Sequence, residues 1–368
     1  MHSASERDGF DVVIVGAGVV GAAVAAALAP RRSVLVIERA RRPATGVTSR
    51  NSGVIHSGLY YPPGTLKARA CIRGQALLYA WAERHGVPFA RTGKVVVARD
   101  QAALASLAVL HANALAAGAR DLEFIDARAL AALEPALPPA AGALWCPNTG
   151  IVDPHALTTS LLAAAEGDGA QVAYGLAVTS ITPRPAGIEV ACGDDTVLAG
   201  ALVNAAGLDS DLVARLAGAD APTLHPCRGD YFRLAARGRY RRLVYPVRAP
   251  GSPGLGVHLT LELDGGVRLG PDATYVERRD DFAPPEGDER RLAFLRAAEA
   301  LLGPLPTDAL RWDGCGIRPK LRGPQDPDER DFLVLEEPPG CIHLIGVESP
   351  GLTAALALAE EVAARLGA

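Results

Sequence analysis

The stretch "DVVIVGAGVVGAAVAAALAPRRSVLVIER", Asp11–Arg39, decides the fold. Asp11–Val15 is a β-branched run of the kind that forms a strand buried on both faces. Gly16, Gly18 and Gly21 then fill a G-x-G-x-x-G spacing, with Val19 and Val20 between the last two, and the Ala-rich segment to Leu28 is a strong helix former. Val34–Ile37 reads as a second strand that ends at Glu38, followed by Arg39. The three glycines serve different physical ends. Gly16 permits the tight turn, Gly18 lets a pyrophosphate approach the backbone, and Gly21 lets helix and strand pack closely. The first N–H groups of the helix and the positive end of its dipole favour phosphate. Glu38, about twenty residues on, is placed to accept hydrogen bonds from ribose hydroxyls. Glycine-rich turns are common by themselves; with strand, helix, second strand and terminal acid all present, the unit reads as a dinucleotide site.

Composition agrees with a soluble enzyme and excludes several alternatives. The chain has 368 residues, 49% hydrophobic and 21% charged, enough for two domains or one large α/β domain with an insertion. A net charge of −4 supplies no footprint for nucleic acid, and the short cluster Arg239, Arg241, Arg242 reads as a solvated turn. The six cysteines are scattered without a CxxC pair, which fits reduced thiols and no metal site. Phe10–Ala29 is apolar and long enough to span a bilayer, but Asp11 and the spaced glycines make it a strand and helix instead. The start, "MHSASERDG", lacks the features of a secretory signal. The expectation is a cytoplasmic protein whose membrane contact, if any, is peripheral to the inner membrane.

Two further elements bear on which dinucleotide is bound. "CIHLIGVESPGLTAALALAEEVAARL", Cys341–Leu366, is again strand, loop and helix. An NAD dehydrogenase needs no second glycine-punctuated loop aimed at the cofactor from the far end of the chain. In an FAD enzyme, Gly346, Glu348, Ser349, Pro350, Gly351, Leu352 and Thr353 can meet the flavin pyrimidine ring, where a helix N-terminus stabilises negative charge. "ALVNAAGLDSDLVARLAG", Ala201–Gly218, supplies a third strand, whose successors Ala205, Ala206 and Gly207 are small enough for close approach of a cofactor.

These elements, in this order, resemble the D-amino-acid-oxidase-like superfamily of FAD-dependent oxidoreductases. Within it, "TSRNSGVIHSGLYYPPGTLKARAC", Thr48–Cys71, and "CPNTGIVDP", Cys146–Pro154, are similar to the L-2-hydroxyglutarate dehydrogenase/oxidase branch. The resemblance implies an α/β protein: a Rossmann-like FAD-binding domain with an inserted antiparallel-sheet substrate domain. Expected bounds are 1–80, 145–215 and 312–368 for the FAD-binding domain, and 81–144 and 216–311 for the substrate domain. Strands are expected at Arg91–Ala98, Asp230–Leu234, Leu255–Leu261 and Val267–Leu269, with helices at Gln101–Ala117, after Asp153-Pro154, and near Asp288–Leu302. Pro246–Gly256 and Pro319–Pro327 read as loops.

The resemblance also gives the polar run after the second strand a purpose. It implies that Thr48, Ser49, Arg50, Asn51 and Ser52 face the pyrophosphate and flavin edge, that Gly53 leaves room for the ring, and that His56 lies close to the isoalloxazine. Val178 would touch the adenine, and Ile317 with Arg318 would line the flavin side. Oxidation of a 2-hydroxy acid removes a hydride from C2 and a proton from the hydroxyl, and histidine suits the proton step. His56, or alternatively His258, is the candidate base; a non-covalent role beside the flavin or a covalent link to it are the other readings of His56. Arg318 is the first candidate for the substrate carboxylate, because its planar fork matches one. Arg228 and Lys67 are candidates for a second carboxylate, and Tyr60, Tyr61, Tyr231 and Tyr245 for pocket walls. The expected reaction is oxidation of an L-2-hydroxy acid to the 2-oxo acid. Oxidation of an amino acid or secondary amine, and flavin binding without turnover, are the alternatives; oxygen, a quinone or a carrier protein would accept the electrons.

Overall fold

The computed structural model describes residues 9–247 and 256–368. Most of the loop expected over Pro246–Gly256 lies outside them. The chain divides into one unit of residues 1–49, 154–225 and 319–368, and a second of 50–153 and 226–318. Residues 50–80 and 145–153, expected with the nucleotide-binding portion, therefore group with the second unit.

In the first unit, β1 (Gly9–Val15) is central and runs parallel to β2 (Val34–Glu38) and to the strand Asp195–Asn204. The run Val12–Ile14 is fully buried, as strands covered on both faces require. Gln171–Tyr174 extends the sheet beyond β2, and Ser180–Arg184 with Gly187–Cys192 forms an antiparallel hairpin on the other edge. On its edge away from β1, Asp195–Asn204 serves two further pairings: Asp195–Ala199 pairs antiparallel with the hairpin, and Leu202–Asn204 pairs parallel with Cys341–His343. Val15 and Asn204 consequently end their strands side by side, the strand Cys341–Ile345 ends two residues beyond His343, the partner of Asn204, and the three small-residue turns follow from one carboxyl edge. That edge is where open α/β sheets take their ligands. Helix α1 (Val19–Leu28) packs against the helices Pro154–Gly167 and Gly351–Arg365.

Asn204 holds this edge together from the inside. Its Nδ2 donates to Ser210 O at 2.7 Å and faces His343 Nδ1 at 3.0 Å, while its Oδ1 accepts from Ala206 N–H at 3.1 Å. His343 Nε2 lies 2.7 Å from Glu337 O, so Nε2 carries the proton and Nδ1 accepts from Asn204. Burial lowers the His343 pKa and keeps this arrangement neutral.

The second unit is built on a nine-stranded mixed sheet. Phe232–Arg233 of the strand His225–Leu234, Leu259–Leu261 and Val267–Leu269 pair antiparallel, as the alternating pattern of residues 222–310 predicts. The sheet also recruits Lys94–Ala98, Gly142–Cys146 and Glu123–Asp126 from early in the chain, and Lys94–Ala98 runs parallel to Leu243–Pro246. The antiparallel sheet expected there is present, and the pairing of Lys94–Ala98 with Leu243–Pro246 adds a parallel one to it. Helix α2 (Leu66–His85) is capped by Thr65, whose side chain accepts from Ala68 N–H, and ends at Gly86 with φ +66°. The expected helix at Gln101–Ala117 spans Gln101–Ala116, with Asp100 as its cap. The helix near Asp288–Leu302 spans Glu289–Leu302.

Candidate active site

In the first unit the glycine turn has no room for side chains. Gly16 adopts φ +106°, and a Cβ there would stand 2.7 Å from Ala205 O. A Cβ on Gly21 would stand 1.9 Å from Gly16 O, which explains the close helix–strand contact. Thr48 Oγ1 accepts from Val19 N–H at 3.1 Å and would lie 3.2 Å from a Cβ on Gly18, so Thr48 walls the turn at the start of α1. Glu38 closes the other side: its carboxylate accepts from Ala17 N–H and Ala40 N–H, each at 2.8 Å. Lone pairs remain on both Glu38 oxygens for ribose hydroxyls. This cradle of a helix N-terminus, small residues and a fixed acid fits an adenine dinucleotide.

Other expected cofactor residues of this unit are already engaged. Ser49 donates to Thr45 O and Gly46 O, which closes a local turn and spends its hydroxyl proton. Arg39 pairs with Asp209 at 2.7 Å. In the C-terminal loop, Glu348 is buried and ion-paired to Lys320 at 3.3 Å, so it neutralises a lysine and is not a free cap. Gly346 has φ +72°, and Gly351 starts the final helix behind Ser349 and Pro350. Leu352 and Thr353 form its first turn, so its N–H end follows directly from that loop. Ala205 donates to Val15 O at 2.9 Å and Gly207 opens a short turn with φ +59°. Val178 is half-buried on the hairpin side of the sheet, packed against its apolar core.

The second unit brings together the remaining candidates. Asn51 Oδ1 accepts from Gly53 N–H at 2.7 Å, and Gly53 takes φ +64°, so this segment is shaped by its own turn. Arg50 stacks over the Phe282 ring at 3.9 Å, and Ser52 Oγ lies 3.1 Å from the Tyr231 hydroxyl. The His56 carbonyl accepts from Gln75 Nε2 at 2.8 Å, which fixes the loop against α2. The His258 ring is stacked on Tyr245 with centroids 3.9 Å apart, and its Nδ1 lies 2.8 Å from Gly256 O. A carbonyl only accepts, so Nδ1 holds the hydrogen and Nε2 of the neutral ring keeps its lone pair.

Burial, with Lys94 nearby, lowers the His56 pKa to about 3, and His258 acts in the same direction where it is protonated. His258 is lowered to about 4, again chiefly by burial, with Lys94 and Arg318 acting in the same direction against the Gly256 hydrogen bond. Both rings are therefore neutral near pH 7, each with an unprotonated ring nitrogen, and as bases they are weaker than an ordinary histidine.

Arg318 donates to the carbonyls of Cys227, Arg228 and Asp272, and no carboxylate pairs with it among the described residues. Its neighbour in sequence, Ile317, is a core residue. Arg228 differs. It pairs with Asp230 at 2.8 Å and Asp281 at 3.2 Å and donates to Ala283 O, which leaves no free edge for a second carboxylate. That expectation is corrected: Arg228 belongs to a structural network with Asp230, Arg290 and Trp312. Lys67 is buried near the start of α2, Tyr61 is half-buried with its carbonyl bonded by Asn113, and Tyr231 sits under the Arg268 guanidinium at 4.3 Å.

Sequence reasoning missed Lys94. It lies in the predicted strand beginning "RTGKVVVA" and has 0% exposure, and its Nζ has no hydrogen-bond partner among the described residues. Its ammonium stands 5.0 Å from the Tyr60 ring and 4.9 Å from the Tyr245 ring. Two cation–π contacts return about 2 kcal/mol each at best, whereas a buried ion costs several kcal/mol. Burial accordingly lowers the Lys94 pKa. Cys71 and Cys146 are its neighbours, and burial raises both thiols, Cys71 to about 12, so neither supplies a counter-charge. The signal available beforehand was a lysine at the head of an otherwise apolar strand, a position that a one-face pattern assigns to the core.

With the cradle and the cluster described, comparison with known proteins decides the family. Residues 11–365 match the DAO family, described as FAD dependent oxidoreductase. The chain belongs to the DAO family of FAD-dependent oxidoreductases. FAD is its cofactor, and the fit of the Gly16–Gly21 cradle agrees with that. The chain is 34% identical to a mitochondrial L-2-hydroxyglutarate dehydrogenase of Arabidopsis thaliana, over 97% of this chain and 83% of that protein. It is 28% identical to an L-2-hydroxyglutarate dehydrogenase of Salmonella houtenae, over 98% and 93%. Among solved structures, the L-alpha-glycerophosphate oxidase of Mycoplasma pneumoniae with FAD bound superimposes with a TM-score of 0.87 at 26% identity, covering 97% of this chain and 94% of that one. Glycine oxidase of Geobacillus kaustophilus shares the DAO fold with a TM-score of 0.80 at 21% identity, covering 97% and 94%. Among the described residues, no helix is long and apolar enough to cross a membrane.

Proposed function

We propose that this flavoenzyme oxidises an L-2-hydroxy acid of the 2-hydroxyglutarate type to the corresponding 2-oxo acid. The observation that carries the reaction is the His258 ring stacked on Tyr245, whose ring lies 4.9 Å from the Lys94 ammonium, in a unit that also holds His56 and Arg318; burial keeps both histidines neutral. The substrate class is supported by the relatives that align over nearly the whole chain. When bound, FAD supplies the acceptor for the hydride that leaves C2. The protein's part is to hold the carboxylate, take the hydroxyl proton and keep water out. Arg318, fixed by three carbonyls and without a carboxylate partner among the described residues, orients the C1 carboxylate. One of the neutral histidines accepts the hydroxyl proton as the C–H bond breaks. The resulting imidazolium next to Lys94 and Arg318 is disfavoured, which returns the proton readily in the next half of the cycle.

The test is anaerobic mixing of the FAD-loaded protein with L-2-hydroxy acids and with amino acids, followed by the loss of flavin absorbance. Bleaching by L-2-hydroxyglutarate with 2-oxoglutarate as product is expected. Bleaching only by amines, with ammonia released, would replace the reading with an amine oxidase. His56→Asn and His258→Asn, measured separately, assign the base: the histidine in that role slows reduction at least about 100-fold when replaced.

A further inference from the structure

The second unit buries one cation that no described residue neutralises. Lys94 is fully enclosed, its Nζ is unpartnered among the described residues, and its nearest titratable neighbours are thiols and histidines without negative charge. Its surroundings are those of the candidate site: Tyr245, which it faces, is stacked on His258, and both His56 and His258 sense its charge. An ammonium kept this way is poised for an anion that arrives from outside, since pairing recovers what desolvation took. Arg228, which the sequence offered for this role, is already saturated. We infer that Lys94 is the receptor for the distal carboxylate of the substrate, and that it makes the site selective for dicarboxylic over monocarboxylic 2-hydroxy acids. Arg318 then holds the carboxylate beside the reacting carbon and Lys94 the far one, so a diacid is gripped at both ends. A compact ammonium suits the distal group, where charge and reach matter more than planar register. The inference rests on the 2-hydroxy-acid reading for its substrate, yet it is testable without turnover.

The probes are glutarate and its monoamide, which has the same length and one carboxylate fewer; neither carries a hydroxyl to be oxidised. Calorimetric titration of the FAD-loaded wild-type protein is expected to show glutarate binding at least about thirtyfold tighter than the monoamide. Lys94→Met is expected to bring the two within threefold, by weakening glutarate while leaving the monoamide unchanged. Lys94→Arg should retain a preference for the diacid. Because Lys94→Met removes a buried unpaired charge, the unliganded variant should keep its FAD and melt at or above the wild-type temperature, which loss of a structural lysine would not produce. In turnover, the wild type should prefer L-2-hydroxyglutarate to its distal amide, and Lys94→Met should abolish that preference.

A wild type that binds glutarate and the monoamide equally overturns the inference whatever the variant does. So does a Lys94→Met protein that keeps the diacid preference, or loses both ligands alike. If glutarate binding behaves as expected but no 2-hydroxy acid is oxidised, the Lys94 site stands and the proposed reaction falls. If L-2-hydroxyglutarate is oxidised and Lys94→Met still discriminates, the reverse holds.

Discussion

The two neutral histidines make acid sensitivity a quantitative test of the cluster. Folding takes His56 from an ordinary 6.5 to about 3 and His258 from 6.5 to about 4. Both folded values lie below the unfolded one, so the unfolded chain binds more protons. Stability is therefore fully present above pH 6.5 and is lost as pH falls, down to pH 4 for His258 and pH 3 for His56. Each histidine contributes a slope of about 0.7 kcal/mol per pH unit at pH 6.5 that approaches about 1.4 below it, so lowering the pH from 6.5 to 5 costs about 1.6 kcal/mol per ring and about 3 kcal/mol for both. Carboxylates add little in that window, because their ordinary values are about 4. His343, also lowered by burial, contributes in the same direction and is left intact as an internal constant. The assay is urea unfolding at half-unit pH intervals from 7.5 to 5 for the wild type, His56→Gln, His258→Gln and the double variant. Each single variant should remove about half of the excess slope, and the double variant should flatten the profile to what His343 leaves. If the double variant loses stability with acid as steeply as the wild type, the rings are not held neutral by burial, and the proton-acceptor assignment loses its physical basis.

Other consequences are sharper in outcome. Gly21→Ala forces a Cβ to within 1.9 Å of Gly16 O, so the purified protein should carry less than about a tenth of its FAD, read as the flavin-to-protein absorbance ratio. Lys320→Met leaves Glu348 buried without its cation at 3.3 Å, and should lower unfolding free energy by roughly 3 kcal/mol, measured by urea midpoint. Asp230→Asn leaves Arg228 and Arg290 short of a carboxylate, with a comparable loss of roughly 3 kcal/mol. Burial pushes the Asp230 carboxyl upward, but Arg228, Trp312 and Arg290 hold it below the usual range, so its contribution is present above about pH 4 and disappears as pH falls further.

The glycine turn of the first unit was legible because its requirement is written in backbone geometry. Gly16, Gly18 and Gly21 stand where a side chain would collide, and that constraint shows in sequence as a fixed spacing. Tertiary electrostatics was not legible. Whether Arg228 or Arg318 is free depends on Asp230 and Asp281, one two residues and the other some fifty residues from Arg228, and no local pattern distinguishes a saturated arginine from an available one. Lys94 was hidden for a similar reason. Only the pairing of Lys94 with Cys146 on one side and Leu243 on the other shows that its strand is interior. Helix α2 escaped because, apart from Lys67, Leu78 and Tyr79, its buried stripe is made of Ala68, Ala70, Cys71, Gly74 and Ala82, residues too small to raise a strong amphipathic signal.

One topological detail bears on how the enzyme is made. The carboxyl edge at which open α/β sheets take their ligands is completed by Cys341–His343 lying beside Leu202–Asn204, and by the helix that starts at Gly351. A ribosome reaches those residues more than three hundred codons after it has passed the glycine turn. Until then Asn204 lacks His343, and the early strands wait with an open flank. The sheet edge is thus finished only on the late arrival of this segment, and messages cut just before Cys341 should yield colourless, protease-sensitive fragments.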